Sequence, residues 1–112
     1  MIVYHNNQCS KSRSAIEFLK EKNQNFETIT YLTNPISKEE LIEILSKLNV
    51  PAFDLIRKNE AIFKEQFKGQ DLSESEWIDV MLKHPKLIER PIIVKGNRAV
   101  IGRPTEKILE LL

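Results

Sequence analysis

The sequence predicts an α/β domain built on a mixed sheet, and three observations carry that reading. Short runs rich in β-branched and aromatic residues lie at 2–4, 26–32 and 92–101. A helical pattern joins the first two within about thirty residues, the length of a right-handed βαβ unit with parallel strands. The stretch from about 36 to 88 is helical in pattern throughout, so it reads as an insertion into the sheet topology.

Each element has a local cause. Ile2-Val3-Tyr4 is an apolar strand, and after the loop that follows it Ala15, Ile16, Phe18 and Leu19 form one face of a helix. Asn23 to Asn25 breaks that helix, Phe26 to Leu32 reads as a second strand, and Asn34-Pro35 ends it. Ser37 with Glu40 three residues later is a capping-box pattern, followed at helical spacing by Leu41, Ile42, Leu45 and Leu48. Asp54 to Lys68 reads as a broken helical segment carrying Leu55, Ile56, Phe63 and Phe67, with Gly69 as its stop. Ser73 with Glu76 repeats the capping signal before Trp77, Ile78, Met81 and Leu82, and His84-Pro85 closes that helix. Ile92-Ile93-Val94-Lys95 and Arg98-Ala99-Val100-Ile101 flank a two-residue Gly96-Asn97 hairpin turn. Gly102-Arg103-Pro104 then opens a final helix carrying Ile108, Leu109 and Leu112. The order β-α-β, helical insertion, β-β-α matches the thioredoxin fold in a single domain over 1–112, although nothing in periodicity alone excludes another small α/β sheet.

Composition narrows the function classes. A chain of 112 residues is long enough for a core without disulfide staples, and its one cysteine cannot form an internal bridge. The net charge of +1 leaves no general surface for nucleic acid or membrane, so any positive site must be local. Without an apolar run long enough for a signal peptide or a membrane span, the expectation is a soluble protein in a reducing, cytoplasmic compartment. One cysteine and two distant histidines give no metal-ligand spacing.

The chemistry concentrates in His5-Asn6-Asn7-Gln8-Cys9-Ser10-Lys11-Ser12-Arg13. Cys9 falls at a helix start, where unpaired N–H groups and the positive end of the dipole favour a thiolate. A protonated His5, or His5 as a hydrogen-bond partner, would favour it too; the plain alternative is a strand-end histidine facing solvent. Lys11 and Arg13 add positive charge where the dipole is already positive, with no acid before Glu17. Either an anion is held there, or both side chains point into water. Cys9-Ser10-Lys11-Ser12 is a CxxC pattern with its second thiol replaced, so the sulfur can attack but needs an external thiol to resolve its adduct. The sixth residue after Cys9 is Ala15, which excludes the Cys-x5-Arg phosphatase loop. Arg57, Arg90 and Arg103 stand beside apolar or proline-marked runs and need partners. Local pairing with Glu60, Glu89 and Glu106 would supply them; convergence on Cys9 would instead make a bidentate oxyanion site.

Together these motifs resemble the thioredoxin-fold arsenate reductase (ArsC) family of the glutathione- and glutaredoxin-coupled type. The likeness runs through Tyr4-His5-Asn6, Cys9 and the Ser-Arg turn, Asn34-Pro35, Leu55-Ile56-Arg57-Lys58-Asn59, Met81-Leu82-Lys83-His84-Pro85, Glu89-Arg90-Pro91-Ile92 and Gly102-Arg103-Pro104. The resemblance implies that Cys9 is the nucleophile, that Arg57, Arg90 and Arg103 bind the oxyanion, and that Pro91 is the fold's cis-proline, with His5, Lys11, Ser12 and Arg13 in support. It implies arsenate or a similar oxyanion as substrate, glutathione as co-substrate, glutaredoxin as partner, no bound cofactor and a monomer. Asn7-Gln8 stands where members often carry proline, and the chain closes at Leu112 directly after the last helical run, so it looks like the short branch of the family. Two other readings compete: a glutathione-dependent thiol oxidoreductase acting on other adducts, and a regulator resembling the Spx branch, which binds RNA polymerase. The second would want the CxxC that Ser12 removes.

Overall fold

The computed structural model describes residues 1–6 and 9–112. The chain forms two compact units, residues 1–34 with 90–112, and residues 35–89.

The first unit is built on strand β1 (Ile2–His5), helix α1 (Ser10–Glu21) and strand β2 (Glu27–Thr30), and is completed by strands β3 (Ile92–Lys95) and β4 (Arg98–Ile101). β1 pairs parallel with β2 and antiparallel with β3, and β3 pairs antiparallel with β4, giving the order β2-β1-β3-β4. This mixed sheet, with α1 as the crossover, is thioredoxin-like. β2 is shorter than the β-rich run suggests, because Thr33 and Asn34 both turn their N–H groups back to the Thr30 carbonyl. Val3 and Ile93 are register partners and fall in one core with Ala15, Leu19, Ile108 and Leu111. α1 contributes Ser12, Ala15 and Leu19, spaced to share a face, and Asn23 at φ +57° follows its end. In the β3–β4 hairpin Gly96 takes φ +61°, the left-handed value that the first central position of a II′ turn demands.

The last helical segment differs from the expectation. It is a 3-10 helix over Thr105–Leu111, preceded by Pro104 rather than containing it. With three residues per turn, positions three apart share a face, so Ile108 and Leu111 are buried while Leu109 and Leu112 stay exposed. The Arg90–Pro91 and Arg103–Pro104 peptides are both cis.

The second unit is helical. Helix α2 (Lys38–Leu48) and helix α3 (Glu74–Lys83) each start on a complete capping box, from Ser37 with Glu40 and from Ser73 with Glu76. Asn49 at φ +58° ends α2, and Ile42 lies on its exposed side while Leu41, Ile44 and Leu45 are buried. Trp77 gathers Phe53, Phe63 and Phe67, with ring centroids 5.1–6.3 Å away. The 54–68 segment is less helical than its spacing suggests. Between a 3-10 turn (Ala52–Leu55) and a π-helical turn (Phe63–Phe67), Ile56 is extended and bridges antiparallel to Ile88. Arg57 N–H donates to the Leu87 carbonyl at 2.7 Å, and Glu89 N–H to the Leu55 carbonyl at 2.9 Å.

Candidate active site

Strand direction decides which residues can meet. β1 and β2 are parallel, so both end at one edge of the sheet; β3 runs the other way and begins there, and β4 ends there. Cys9 after β1, Tyr31 after β2, Arg90 before β3 and Arg103 after β4 therefore share an edge although up to 94 positions separate them. All four belong to the first unit.

Cys9 is the N-cap of α1, half-buried, with extended backbone at φ −96° and ψ 124°. Its N–H donates to the Asn6 carbonyl at 2.9 Å, and its own carbonyl accepts from Arg13 N–H at 3.1 Å. The side chain of Cys9 makes no cap hydrogen bond in the usual sense. The sulfur lies close enough to the backbone N–H groups of Ser12 and Lys11 and to the Arg90 side chain for all three to favour its charged form. Arg103 brings Nη2 to 3.5 Å from the same sulfur. Burial pushes the thiol up, but the Ser12 N–H, the Arg90 guanidinium and the Lys11 N–H outweigh it and bring the thiol down to about 7. Near neutral pH a large share of Cys9 is thiolate.

The two arginines are held by different means. Arg103 donates through Nε to the Arg90 carbonyl at 2.7 Å, which ties the segment after β4 to the one before β3. That tie continues the sheet, since Gly102 N–H already donates to the Pro91 carbonyl at 2.9 Å. Burial works against the charge on the Arg90 guanidinium, but the neighbouring Cys9 sulfur and Tyr31 outweigh it and raise its pKa. Its Nε is buried and, among the described residues, has no hydrogen-bond partner. Glu89, a local alternative for Arg90, pairs instead with Arg57.

Arg57 lies in the second unit, where Nη1 is 3.2 Å from Glu60 and Nε is 3.8 Å from Glu89. For Arg57 the local pairing holds; for Arg90 and Arg103 the contact is with Cys9. Ser12 is fully buried, and its hydroxyl accepts from Asn6 N–H at 3.2 Å, pinning the loop to the helix start. Lys11 and Arg13 are exposed, so the solvated alternative describes their side chains, and Lys11 acts on the sulfur through its backbone.

His5 corrects two expectations. It is only 6% exposed, so it does not face solvent, and burial lowers its pKa, so at neutral pH it is uncharged and gives the thiolate no positive neighbour. Its Nδ1 is buried without a hydrogen-bond partner among the described residues. The departure at Asn7-Gln8 lies outside the described residues. Tyr31 is the residue that motif reading passes over, seen there only as a strand aromatic. The available signal was its position, a buried-type residue with a polar tip at the end of the strand parallel to β1. Among the described residues no group of His, Cys, Asp and Glu could hold a metal ion, and no helix is long and apolar enough to cross a membrane.

A thioredoxin-like sheet edge with one acidified thiol, no second cysteine and two arginines on the sulfur defines a single-cysteine thiol protein. The ArsC family model matches residues 4–111, and the chain belongs to the ArsC family. It is 40% identical to "Uncharacterized protein YfgD" of Escherichia coli (strain K12) over 98% of this chain and 94% of that one. It is 37% identical to the arsenate reductase of Haemophilus influenzae (strain ATCC 51907 / DSM 11121 / KW20 / Rd), over 100% of this chain and 98% of that one. Among solved structures, the arsenate reductase from Vibrio cholerae superposes with a TM-score of 0.94 at 38% identity, over 99% of this chain and 96% of that one.

Proposed function

We propose that this protein is an arsenate reductase that works through a covalent Cys9 adduct resolved by glutathione and glutaredoxin. The observation that carries the reading is the Cys9 thiol, brought down to about 7 with the Arg90 and Arg103 guanidinium groups against it. The thiolate is the nucleophile, and arginines fit a tetrahedral oxyanion in a way lysine cannot. The named relatives supply the substrate class.

In the proposed sequence Cys9 Sγ attacks arsenic(V), forming an S–As bond as one arsenate oxygen leaves as water. Arg90 and Arg103 stabilise the charge on the remaining oxygens. A glutathione thiol then replaces a second oxygen on the arsenic, which leaves as water. Two electrons from two thiols reduce arsenic(V) to arsenic(III), released as arsenite, and the thiols end as a disulfide that glutaredoxin and further glutathione reduce. The external thiol is required because position 12 is Ser, not Cys. In this reading the protein is a cytoplasmic monomer without a bound cofactor.

The test couples the protein to glutathione, glutaredoxin and glutathione reductase and follows arsenate-dependent NADPH oxidation. The wild type should turn over and Cys9→Ser should lose activity to background. No turnover by the folded wild type with several glutaredoxins rejects the reading. Deglutathionylation without arsenate turnover would replace it with a thiol oxidoreductase.

A further inference from the structure

We propose that Ser12 is a positioning residue: its buried hydroxyl takes the capping place that an acid holds in α2 and α3, and fixes the Cys9 turn on the start of α1 without setting a negative charge beside the sulfur. The proposal rests on the function above only in taking Cys9 as the reactive group.

The three helices α1, α2 and α3 start in different ways. In α2 and α3 the third residue is a glutamate, Glu40 or Glu76, whose carboxylate accepts the N–H of the N-cap serine at 3.4 and 3.0 Å. In α1 the third residue is Ser12, and the first turn carries no acid. The Ser12 hydroxyl also reaches back, past the N-cap, and accepts the Asn6 N–H at 3.2 Å. Ser12 is fully buried, so no water competes for that hydroxyl.

This bond closes a ring of ties around the residue that carries the sulfur. The Asn6 carbonyl accepts the Cys9 N–H at 2.9 Å, and the Cys9 carbonyl accepts the Arg13 N–H at 3.1 Å. The bond between Cys9 and Asn6 alone would let the turn swing as a unit about the helix start. Ser12 joins Asn6 to the same helical turn, across six positions, and removes that freedom.

The choice of a hydroxyl has a chemical reason. A carboxylate in its place would accept the N–H more strongly, but its charge would disfavour the thiolate. A serine hydroxyl is neutral and accepts without a counter-charge, whereas a cysteine sulfur is only a weak acceptor. The serine of the C-x-x-S pattern therefore holds the nucleophile in place and is more than a missing resolving thiol. Its own backbone N–H is one of the groups that lower the Cys9 thiol, and a swinging turn would carry the sulfur away from it.

Ser12→Ala removes only the hydroxyl. In the folded variant the Asn6 amide, having lost its acceptor, should exchange with solvent roughly tenfold faster or more, with the Val3 amide unchanged as an internal control. The ultraviolet absorbance of the thiolate, followed against pH, should place the Cys9 pKa higher by about half a unit to one unit. The thiolate fraction at pH 7 should fall roughly two- to five-fold. Ser12→Thr keeps a hydroxyl and should restore both readouts. A folded Ser12→Ala protein with the wild-type Cys9 pKa overturns the proposal. So does a raised pKa with unchanged Asn6 exchange, since the effect must run through that bond, and so does a folded Ser12→Thr protein that behaves like Ser12→Ala. Amide exchange of the wild type is a test that does not depend on folding of a variant: protection of Asn6 supports the proposal, and exchange at the open-chain rate overturns it. None of these readouts needs arsenate, so a failed turnover assay and a failed Ser12 test are separate results.

Discussion

Cys9 shows how several modest donors overcome burial. Half-burial alone would raise its thiol, yet two backbone N–H groups at the start of α1 and the Arg90 side chain reverse the sign. The sign fixes a pH profile. As pH rises through about 7 the proton leaves, and the rate of Cys9 alkylation by iodoacetamide should rise and then level off. A midpoint near that of a free thiol, about 8.5, would contradict the geometry. Arg90→Met should move the midpoint upward, since it removes both a hydrogen bond and a charge from the sulfur. His5 should leave no comparable trace of a second titrating cation above neutrality, because burial keeps it uncharged there.

At the scale of elements, the β3–β4 hairpin carries both site arginines, Arg90 just before it and Arg103 just after. Their spacing depends on a close approach at Gly102. A Cβ there would lie 2.9 Å from Ile93 Cδ1 and 3.1 Å from Pro91 Cγ. Ile93 is a core residue and Pro91 a rigid ring, so neither yields freely. Gly102→Ala should therefore destabilise the protein by about 1–3 kcal/mol through overpacking. Urea unfolding would read this as a lower midpoint at unchanged slope. An unchanged midpoint would mean that the hairpin relaxes at no cost. The glycine is needed for space rather than for backbone freedom, unlike Gly96 in the turn of the same hairpin, whose φ is +61°.

At the scale of the molecule, the site rests on the core of the first unit, where α1 and the 3-10 helix (Thr105–Leu111) bury Leu19, Ile108 and Leu111 with Val3 and Ile93 of the sheet. Leu19 is completely buried. Leu19→Ala removes its methyl groups and leaves a cavity, for an expected loss of about 2–5 kcal/mol by chemical denaturation. A loss below the cost of a surface substitution, about 0.5 kcal/mol, would contradict this packing. The helical elements of residues 35–89 were the most legible part of the chain. Both capping boxes fall where Ser37 and Ser73 place them, because a cap is a contact between residues three apart. The extended backbone at Ile56 was not legible, since its pairing with Ile88 joins residues whose local spacing favours helix. The final helix was legible in place but not in period, so Leu111 replaced Leu112 on the buried face.

What the sequence by itself determined was the order of elements, their caps and turns, and a lone cysteine at a helix start, each encoded within a few residues by period, capping chemistry and turn chemistry. Only the tertiary structure decided which cations reach that cysteine. Arg57, Arg90 and Arg103 look alike in sequence, each beside an apolar run with a glutamate nearby. Strand direction brings Arg90 and Arg103 to the Cys9 edge, while Glu60 and Glu89 hold Arg57. It also withdraws the charge of His5. The reason is physical: hydrogen bonds between groups up to 94 positions apart, and the desolvation that shifts a histidine, exist only once the sheet has assembled.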